Sequence, residues 1–183
     1  MSRLGRLLDR VRSRLGRDRH TGRVHADRDE SFVVFLIGMR INAFWKVHRW
    51  LPVFLVAPRM VRELRADDDA GLLGSWTFLS PPRGIGFVQY WEDFESLRAY
   101  ARDSDHLHLG AWDDYARQSE TGAVGIWHET YRVDADSYET VYNNGPPRGL
   151  GVAAGTDLVA ASGRERSAAG RLDGEDDPLP RDA

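Results

Sequence analysis

The sequence predicts an α+β fold of the ferredoxin-like type, with elements in the order β-α-β-β-α-β, that pairs with a second copy as a dimeric α+β barrel. Four segments rich in β-branched and aromatic residues alternate with segments whose apolar residues recur every three or four positions. This order is the split β-α-β arrangement, in which helices cover one face of an antiparallel sheet. The other face is also apolar, so a second sheet is expected to cover it.

The four predicted strands are Ser31–Asn42, Gly71–Ser80, Ile85–Trp91 and Ala123–Val133. The run Phe32–Ile37 is apolar at every position, which is typical of a strand buried on both faces. Gly38 follows this run and is expected at a bulge or at a close approach of another part of the chain. The Pro-Pro-Arg-Gly turn after Ser80 joins the second and third strands in a hairpin.

The helical segments follow the first and third strands. Ala43–Arg65 has helical spacing, but Pro52 and Pro58 cannot lie in one straight helix. We therefore expect a short helix, then a second helix from about Pro52 with a kink at Pro58. Two more helices are predicted at Phe94–Arg102, with Asp93 as N-cap, and at Asp105–Ser119.

Composition divides the chain into a basic arm at 1–23, a barrel domain at 24–145 and an extended or disordered tail at 146–183. Eight Arg and two Asp give the arm a charge of +6, whereas twelve basic and nineteen acidic groups give residues 24–145 a charge of −7. Leucines at helical spacing in the arm favour either an amphipathic helix in weak contact with an anionic membrane surface or a frayed polar arm. From residue 146 aromatic residues are absent, which is typical of an unfolded tail.

Several classes of function are excluded. The acidic body argues against nucleic-acid binding, which needs a positive face. The chain has no cysteine, so disulfides, Cys-zinc sites and cysteine nucleophiles are impossible. No apolar run reaches the roughly 18–20 residues of a membrane helix, so cytoplasmic residence is expected. Nucleotide-binding, zinc-protease and serine-hydrolase motifs are absent, and no close 2-His-1-carboxylate spacing predicts a metal site.

Five stretches carry a resemblance to a known family: FVVFLIGMRIN, HRWLPVF, VQYWEDFESLRAYAR, HLHLGAWDDYAR and GIWHETY. They resemble a bacterial and fungal family that is similar to the monooxygenase of the fumagillin pathway. The resemblance runs from about Gly22 to Tyr142, and YNNGPPRGLG and AAGRL resemble the family's C-terminal part. It implies the dimeric α+β barrel superfamily.

The resemblance implies a monooxygenase of the antibiotic-biosynthesis type, which reacts a small apolar, aromatic or enolic substrate with O2 and uses no cofactor. Other barrels of this type are haem enzymes, so a haem-binding dehydratase or peroxidase-like enzyme is an alternative. A third alternative is a non-catalytic dimer that binds a hydrophobic ligand.

The first group of candidate site residues is His106, His108 and Trp112, on the predicted helix Asp105–Ser119. His108 shares a helix face with Trp112, four residues on. Either histidine is a candidate general base or haem ligand. The alternative is a histidine at the start of a helix that belongs to a packing network.

The second group is Trp127, His128 and Glu129. Neighbours in a strand face opposite sides, so Trp127 and Glu129 share one face and His128 lies on the other. If Glu129 is buried among aromatic residues, its pKa should rise and it could act as an acid or base. The alternative for Glu129 is an ion pair with an arginine.

The third group is Arg40, Asn42 and Trp45, where the first strand runs into a helix. Strand ends at a barrel mouth often carry the polar groups of a pocket, and Asn42 could bind an enolate or phenolate oxygen. Asn42 could also serve as a helix N-cap. Trp76 and Tyr90 are further candidates for substrate binding, although such aromatic residues usually belong to the core.

Overall fold

The computed structural model describes three ranges of the chain: residues 22–67, 69–102 and 122–175. These residues form two compact units. Residues 30–135 belong to one unit, and residues 22–29 with 136–175 belong to the other. The predicted basic arm and the predicted helix Asp105–Ser119 lie outside the described residues, apart from the last two positions of the arm.

The strands in chain order are β1 (Arg23–Asp27), β2 (Phe32–Ile41), β3 (Leu72–Ser80), β4 (Gly84–Trp91), β5 (Val124–Val133), β6 (Tyr142–Asn143) and β7 (Asp157–Ala160). Within the described ranges the helices are α1 (Val47–Leu64), α2 (Phe94–Arg102) and α3 (Ala168–Leu172), with 3₁₀ turns at Gly149–Val152 and Gly163–Arg166.

The larger unit contains a four-stranded sheet in the order β3-β4-β2-β5, with every neighbouring pair antiparallel. Its described elements occur in the chain order β2, α1, β3, β4, α2 and β5. The first and third strands of the unit therefore lie at the centre, as the split β-α-β arrangement requires. The predicted α+β fold of the ferredoxin-like type is confirmed.

Strand register assigns each side chain to one of two faces. Gly38 of β2 lies opposite Trp127 of β5 and Gly86 of β4, and Gly86 lies opposite Phe78 of β3. These four residues form one row across the sheet. Their face carries no described helix, and we call it the open face. Since side chains alternate along a strand, Ile37 and its neighbours of the same parity lie on the helix face.

The two glycines of this row leave room for aromatic side chains. A Cβ atom on Gly38 would lie 2.7 Å from the indole of Trp127, and one on Gly86 would lie 2.4 Å from the ring of Phe78. β2 runs past Gly38 without a break in register. Of the two expectations for Gly38, the structure therefore shows the close approach and not the bulge. The register shift lies in β3, between Leu72 and Gly74.

α1 differs from the sequence prediction because it is one helix that contains both Pro52 and Pro58. Each proline removes one backbone N–H donor from the helix. Both prolines lie on the exposed side, where a carbonyl without an intrahelical partner can bond to water. On the opposite side, the buried residues Val53 and Leu64 pack against residues of the sheet.

Two clusters of buried side chains fill the space between the sheet and its helices. One contains Met39, Ile41, Val53, Ile85 and Val124. The other contains Val33, Leu64, Trp91 and Leu97, so it joins β2, α1, β4 and α2. Trp91 is fully buried at 0% exposure and its indole stacks at a tilt on Tyr100.

The start of α2 confirms the predicted cap. Asp93 Oδ1 accepts a hydrogen bond of 2.7 Å from the backbone N–H of Ser96. This bond and the Ser96 hydroxyl hold the pKa of Asp93 below its ordinary value of 3.8. A carboxylate at this position therefore stabilises the folded state as long as it is ionised.

We expect Asp93→Ala to lower the free energy of unfolding by about 1 kcal/mol at pH 7. Because the folded pKa is depressed, this contribution is complete above the unfolded pKa and is lost as the pH falls through the folded pKa. The difference between wild type and Asp93→Ala should therefore shrink between pH 5 and pH 2, as measured by urea denaturation. Asp93→Asn keeps an acceptor and is the control. An equal difference at all pH values would contradict the carboxylate cap.

The smaller unit is built on β1, which pairs antiparallel with β6 on one side and β7 on the other. Polar side chains hold its irregular segments. Arg28 donates to the carbonyls of Ala154 (2.7 Å) and Gly155 (3.0 Å). The Tyr142 hydroxyl donates to the carbonyl of Arg148 and accepts from the N–H of Gly151.

The structure differs here from the expected boundaries at 24–145 and 146–183. Residues 149–172 hold regular elements, and residues 24–29 group with the C-terminal part of the chain. The composition misled the prediction because this segment has few apolar residues. Its stability comes from pairing with β1 and from bonds such as the buried Arg171 guanidinium on Glu139.

No helix in the described ranges combines the length and the apolar composition that crossing a lipid bilayer requires.

Candidate functional site

An apolar cavity of about 340 Å³ lies between the helix face of the sheet and the helices α1 and α2. The strands line it with Phe35, Ile37, Met39, Ile85, Phe87, Gln89, Ile126, His128 and Thr130. The helices line it with Val53, Val56, Ala57, Met60, Val61, Phe94, Leu97, Arg98, Tyr100 and Ala101. Its volume and its mostly apolar wall with a few polar groups are typical of a small-molecule site.

Among the described residues that line the cavity, Gln89 is the buried polar one. Its Oε1 accepts a hydrogen bond of 3.1 Å from the indole N–H of Trp91. This bond assigns the amide oxygen to the core side. Among the described residues the amide nitrogen of Gln89 has no hydrogen-bond partner. Gln89 can therefore donate to an oxygen of a molecule in the cavity.

His128 and Thr130 line the cavity from β5, which is an edge strand of the described sheet. Thr130 and Gln89 both pair with Phe35, so they flank β2 at roughly 10 Å from each other. His128 lies two residues before Thr130 in β5. Its imidazole contacts the ring of Phe35, with the ring centroids 5.8 Å apart. Both β5 residues are exposed, so the cavity is open to solvent along this edge.

Tyr100 of α2 adds a phenol to the cavity wall. Burial, and secondly the negative charge of Glu63, raise the pKa of Tyr100 to about 12. The hydroxyl therefore keeps its proton at neutral pH. It can take part in hydrogen bonds to a ligand but cannot act as a base there.

Of the described site residues predicted from sequence, only His128 lies on the cavity. Arg40, Trp76, Tyr90, Trp127 and Glu129 all belong to the open face by strand register. Trp76 and Trp127 are partly exposed there, and Arg40 is exposed. The structure therefore separates His128 from Trp127 and Glu129, as their alternation in the strand predicted.

The Glu129 side chain is exposed and is not buried among the aromatic residues of the open face. It accepts a hydrogen bond of 2.6 Å from the hydroxyl of Tyr131, two residues along the same face. This bond raises the pKa of Tyr131, since it stabilises the protonated phenol beside a carboxylate.

Asn42 and Trp45 lie beyond the end of β2 and do not line the cavity. The Asn42 amide donates to the carbonyl of Gly122 at 3.2 Å, so it ties the end of β2 to the start of β5. It is not the N-cap, because α1 begins at Val47. Trp45 is 79% exposed. His106, His108 and Trp112 lie outside the described residues.

Sequence reasoning missed Gln89 and Tyr100 as cavity residues. A signal for Gln89 was present, because it is the one polar residue between Phe87 and Trp91 at the same strand parity. A polar group in such a position needs a partner or a ligand. Tyr100 gave no such signal, because it belongs to the apolar stripe that any surface helix of this type has.

No three His, Asp or Glu side chains within residues 22–67, 69–102 and 122–175 are arranged so that they could hold a metal ion together.

Comparison with solved structures gives distant likenesses. SnoaB, a cofactor-independent oxygenase from Streptomyces nogalater, is 11% identical, with 55% of this chain and 91% of that chain covered and a TM-score of 0.37. A dimeric protein of unknown function and ferredoxin-like fold from Bacteroides fragilis is 13% identical, with 55% and 95% covered and a TM-score of 0.42.

Comparison with curated proteins gives a nearer relative. Monooxygenase af470 of Aspergillus fumigatus is 32% identical over 137 residues, which is 66% of this chain. The match covers 46% of the fungal protein, so the chain spans about half the length of that relative. The Monooxygenase af470-like family matches residues 32–150, which include the whole four-stranded sheet and both helices that line the cavity. The chain is therefore a member of the Monooxygenase af470-like family.

Proposed function

We propose that this protein is a monooxygenase that reacts a small apolar substrate with O2 in the cavity of residues 30–135. The observation that carries the proposal is the cavity itself. It has about 340 Å³ of mostly apolar space, with an imidazole, a buried amide and a phenol in its wall. Membership of the monooxygenase-like family supports the same reading.

The proposed substrate is a flat molecule with an activated C–H or O–H group, such as an enol or a phenol. Gln89 and Thr130 stand roughly 10 Å apart across β2, which is about the length of a two-ring system. Aromatic side chains, among them Phe35 and Phe87, supply flat apolar walls between them. The Gln89 amide would bind an oxygen of such a substrate.

In the proposed reaction His128 removes a proton from the substrate. The resulting carbanion or enolate transfers two electrons to O2 and forms a C–O bond, which gives a hydroperoxide after reprotonation. Loss of water then leaves a carbonyl, so a methylene group and one O2 molecule become a carbonyl group and one water molecule. The substrate supplies all the electrons, and no separate reductant is needed. Gln89 would stabilise the anion by donating a hydrogen bond.

The other residues predicted from the sequence remain candidates. His106, His108 and Trp112 lie outside the described residues, so the two histidines are still candidate bases and Trp112 is still a candidate substrate contact. Glu129, Trp76 and Trp127 belong to a partly apolar open face. We propose that a second copy of the chain covers this face in a homodimer, because an exposed aromatic face of this kind is rarely left to solvent.

The test is oxygen uptake by the full-length protein with a panel of 1,3-dicarbonyl enols and dihydroxynaphthalenes under 18O2. We expect one labelled oxygen atom in the product and one in water. Ala57→Trp should abolish uptake because the indole would fill the cavity. Ala66→Trp is the matched control at an exposed position of the turn after α1.

Three outcomes would contradict the proposal. If Ala57→Trp leaves turnover unchanged, the reaction does not take place in this cavity. If protein from haem-supplemented cells shows a stoichiometric Soret band, the haem-enzyme alternative is favoured over the cofactor-free route. Ligand binding without any oxygen uptake would instead favour the non-catalytic dimer.

A further inference from the structure

α1 has a second apolar side that faces solvent. Val47, Leu51 and Leu55 follow one another at intervals of four residues, so they lie on one side of the helix. All three are exposed, with Leu55 at 49%. The sheet-facing side of α1 is already apolar. A surface helix normally has one apolar side and one polar side. An apolar outer side on α1 is therefore typical of a surface that binds a partner.

The turn before α1 extends this surface. Trp45 is 79% exposed and Phe44 is 39% exposed. An indole combines a large apolar ring with a polar N–H, and tryptophan is for that reason enriched where apolar and aqueous phases meet.

The same region is mostly basic. From Asn42 to Arg62 the chain holds one Lys, three Arg and no acidic residue, although residues 24–145 as a whole carry −7. The next residue, Glu63, is the one acidic residue of α1 and is half-buried. Arg59 and Arg62 are exposed and lie on the same side of the helix as Leu55. The neighbouring hairpin of β3 and β4 contains no acidic residue either.

We propose that this surface, the α1 patch, docks on a lipid bilayer with anionic headgroups. We define the patch as Trp45, Val47, Leu51, Leu55, Arg59 and Arg62. The apolar side chains would enter the boundary between headgroups and acyl chains, and the arginines would bind lipid phosphates.

A second copy of the chain is a poorer occupant of the patch. In a two-fold symmetric contact the same patch meets itself. Such a contact would bury four arginines, two from each copy, in one interface to which the patch contributes no acidic group. A negatively charged surface has the complementary charge.

The docking proposal does not depend on the proposed oxygenase function. The two meet in α1, whose inner side lines the cavity with residues such as Val53 and Met60. A bilayer at the outer side would bring dissolved apolar molecules within one helix diameter of the cavity.

The experiment is flotation of the full-length protein with vesicles of phosphatidylcholine alone or of phosphatidylcholine and phosphatidylglycerol in a 7:3 ratio. We expect binding to the anionic vesicles only, and weaker binding as salt is raised. Two double variants test the patch: Leu51→Ser with Leu55→Ser, and Arg59→Glu with Arg62→Glu. Each should lower the vesicle partition coefficient about tenfold.

The matched controls change the same chemistry elsewhere on the surface. Val152→Ser removes another exposed apolar side chain, and Arg166→Glu reverses another exposed arginine. Both should bind like wild type. If the Leu51 and Leu55 double variant fails to fold by circular dichroism, Trp45→Ser replaces it, because Trp45 lies outside the helix and is mostly exposed.

Three results would overturn the proposal. The first is equal binding of wild type and the α1 variants. The second is loss of binding only when Arg3, Arg6 and Arg10 of the basic arm are changed to Gln, which would assign the contact to that arm. The third is a change of oligomeric mass in sedimentation velocity without a change in vesicle binding, which would assign the patch to a second copy.

Discussion

His128→Gln is expected to lower kcat/KM for oxygen consumption by about 10²- to 10⁴-fold, the range for loss of a positioned acid or base. Glutamine keeps a polar side chain on the cavity wall, but it cannot take up a proton near neutral pH. Substrate binding rests mainly on apolar contacts with residues such as Phe35 and Phe87. We therefore expect KM to change less than kcat.

The comparison with Glu129→Gln tests which face of the sheet carries the chemistry. His128 and Glu129 are neighbours in β5, yet they lie on opposite faces. Turnover that survives Glu129→Gln and fails in His128→Gln supports the cavity. Turnover that survives His128→Gln and fails in Glu129→Gln would indicate that the reaction takes place on the open face. His25→Gln, in the smaller unit, controls for the loss of any histidine. If all three variants keep full activity, His106 and His108 are the next residues to change.

Trp91→Ala should lower the free energy of unfolding by about 3–5 kcal/mol, the usual cost of removing a large aromatic side chain from a core. Trp91 is 0% exposed and packs with Val33, Leu64 and Leu97. Its loss would leave a hole where β2, α1, β4 and α2 meet. Urea denaturation monitored by far-ultraviolet circular dichroism measures the change.

Trp91→Ala should also affect the site through Gln89. The indole N–H of Trp91 holds Gln89 Oε1, so its removal frees the buried amide to rotate. We expect weaker ligand binding at temperatures where the variant is still folded. Trp45→Ala is the control, because that side chain is 79% exposed and should change stability by less than about 0.5 kcal/mol. A stable Trp91→Ala protein would show that this cluster is not the core of the larger unit.

Local sequence patterns predicted the strands of the larger unit well. Alternation in Val124–Val133 assigned His128 and Glu129 to opposite faces, and the register confirms this assignment. Asp93 was predicted as an N-cap from its position before Phe94, and its bond to the N–H of Ser96 confirms it. These predictions succeed because each depends on residues within a few positions of one another.

The candidate site was less predictable. The aromatic residues Trp76 and Trp127 suggested a ligand site on their own face, whereas the cavity lies on the other side of the sheet. Which face encloses a cavity depends on how closely α1 and α2 approach the strands. The spacing of apolar residues along the sequence does not specify the distance between the helices and the strands. Pro52 and Pro58 are a similar case. One helix can include both prolines because both are exposed to solvent, and the sequence pattern does not specify that exposure.

The sequence by itself determined the order of elements in the larger unit, the two faces of its sheet and the family to which the chain belongs, because all three are written in local patterns and short motifs. Only the tertiary structure decided that the cavity adjoins His128 and Gln89, and that the glycine-rich C-terminal segment is ordered on β1. That segment is held by contacts such as Arg28 with the carbonyl of Ala154, 126 positions away in the chain. Hydrogen bonds between such distant residues leave no periodic trace in the sequence, so they become visible only when the chain has folded.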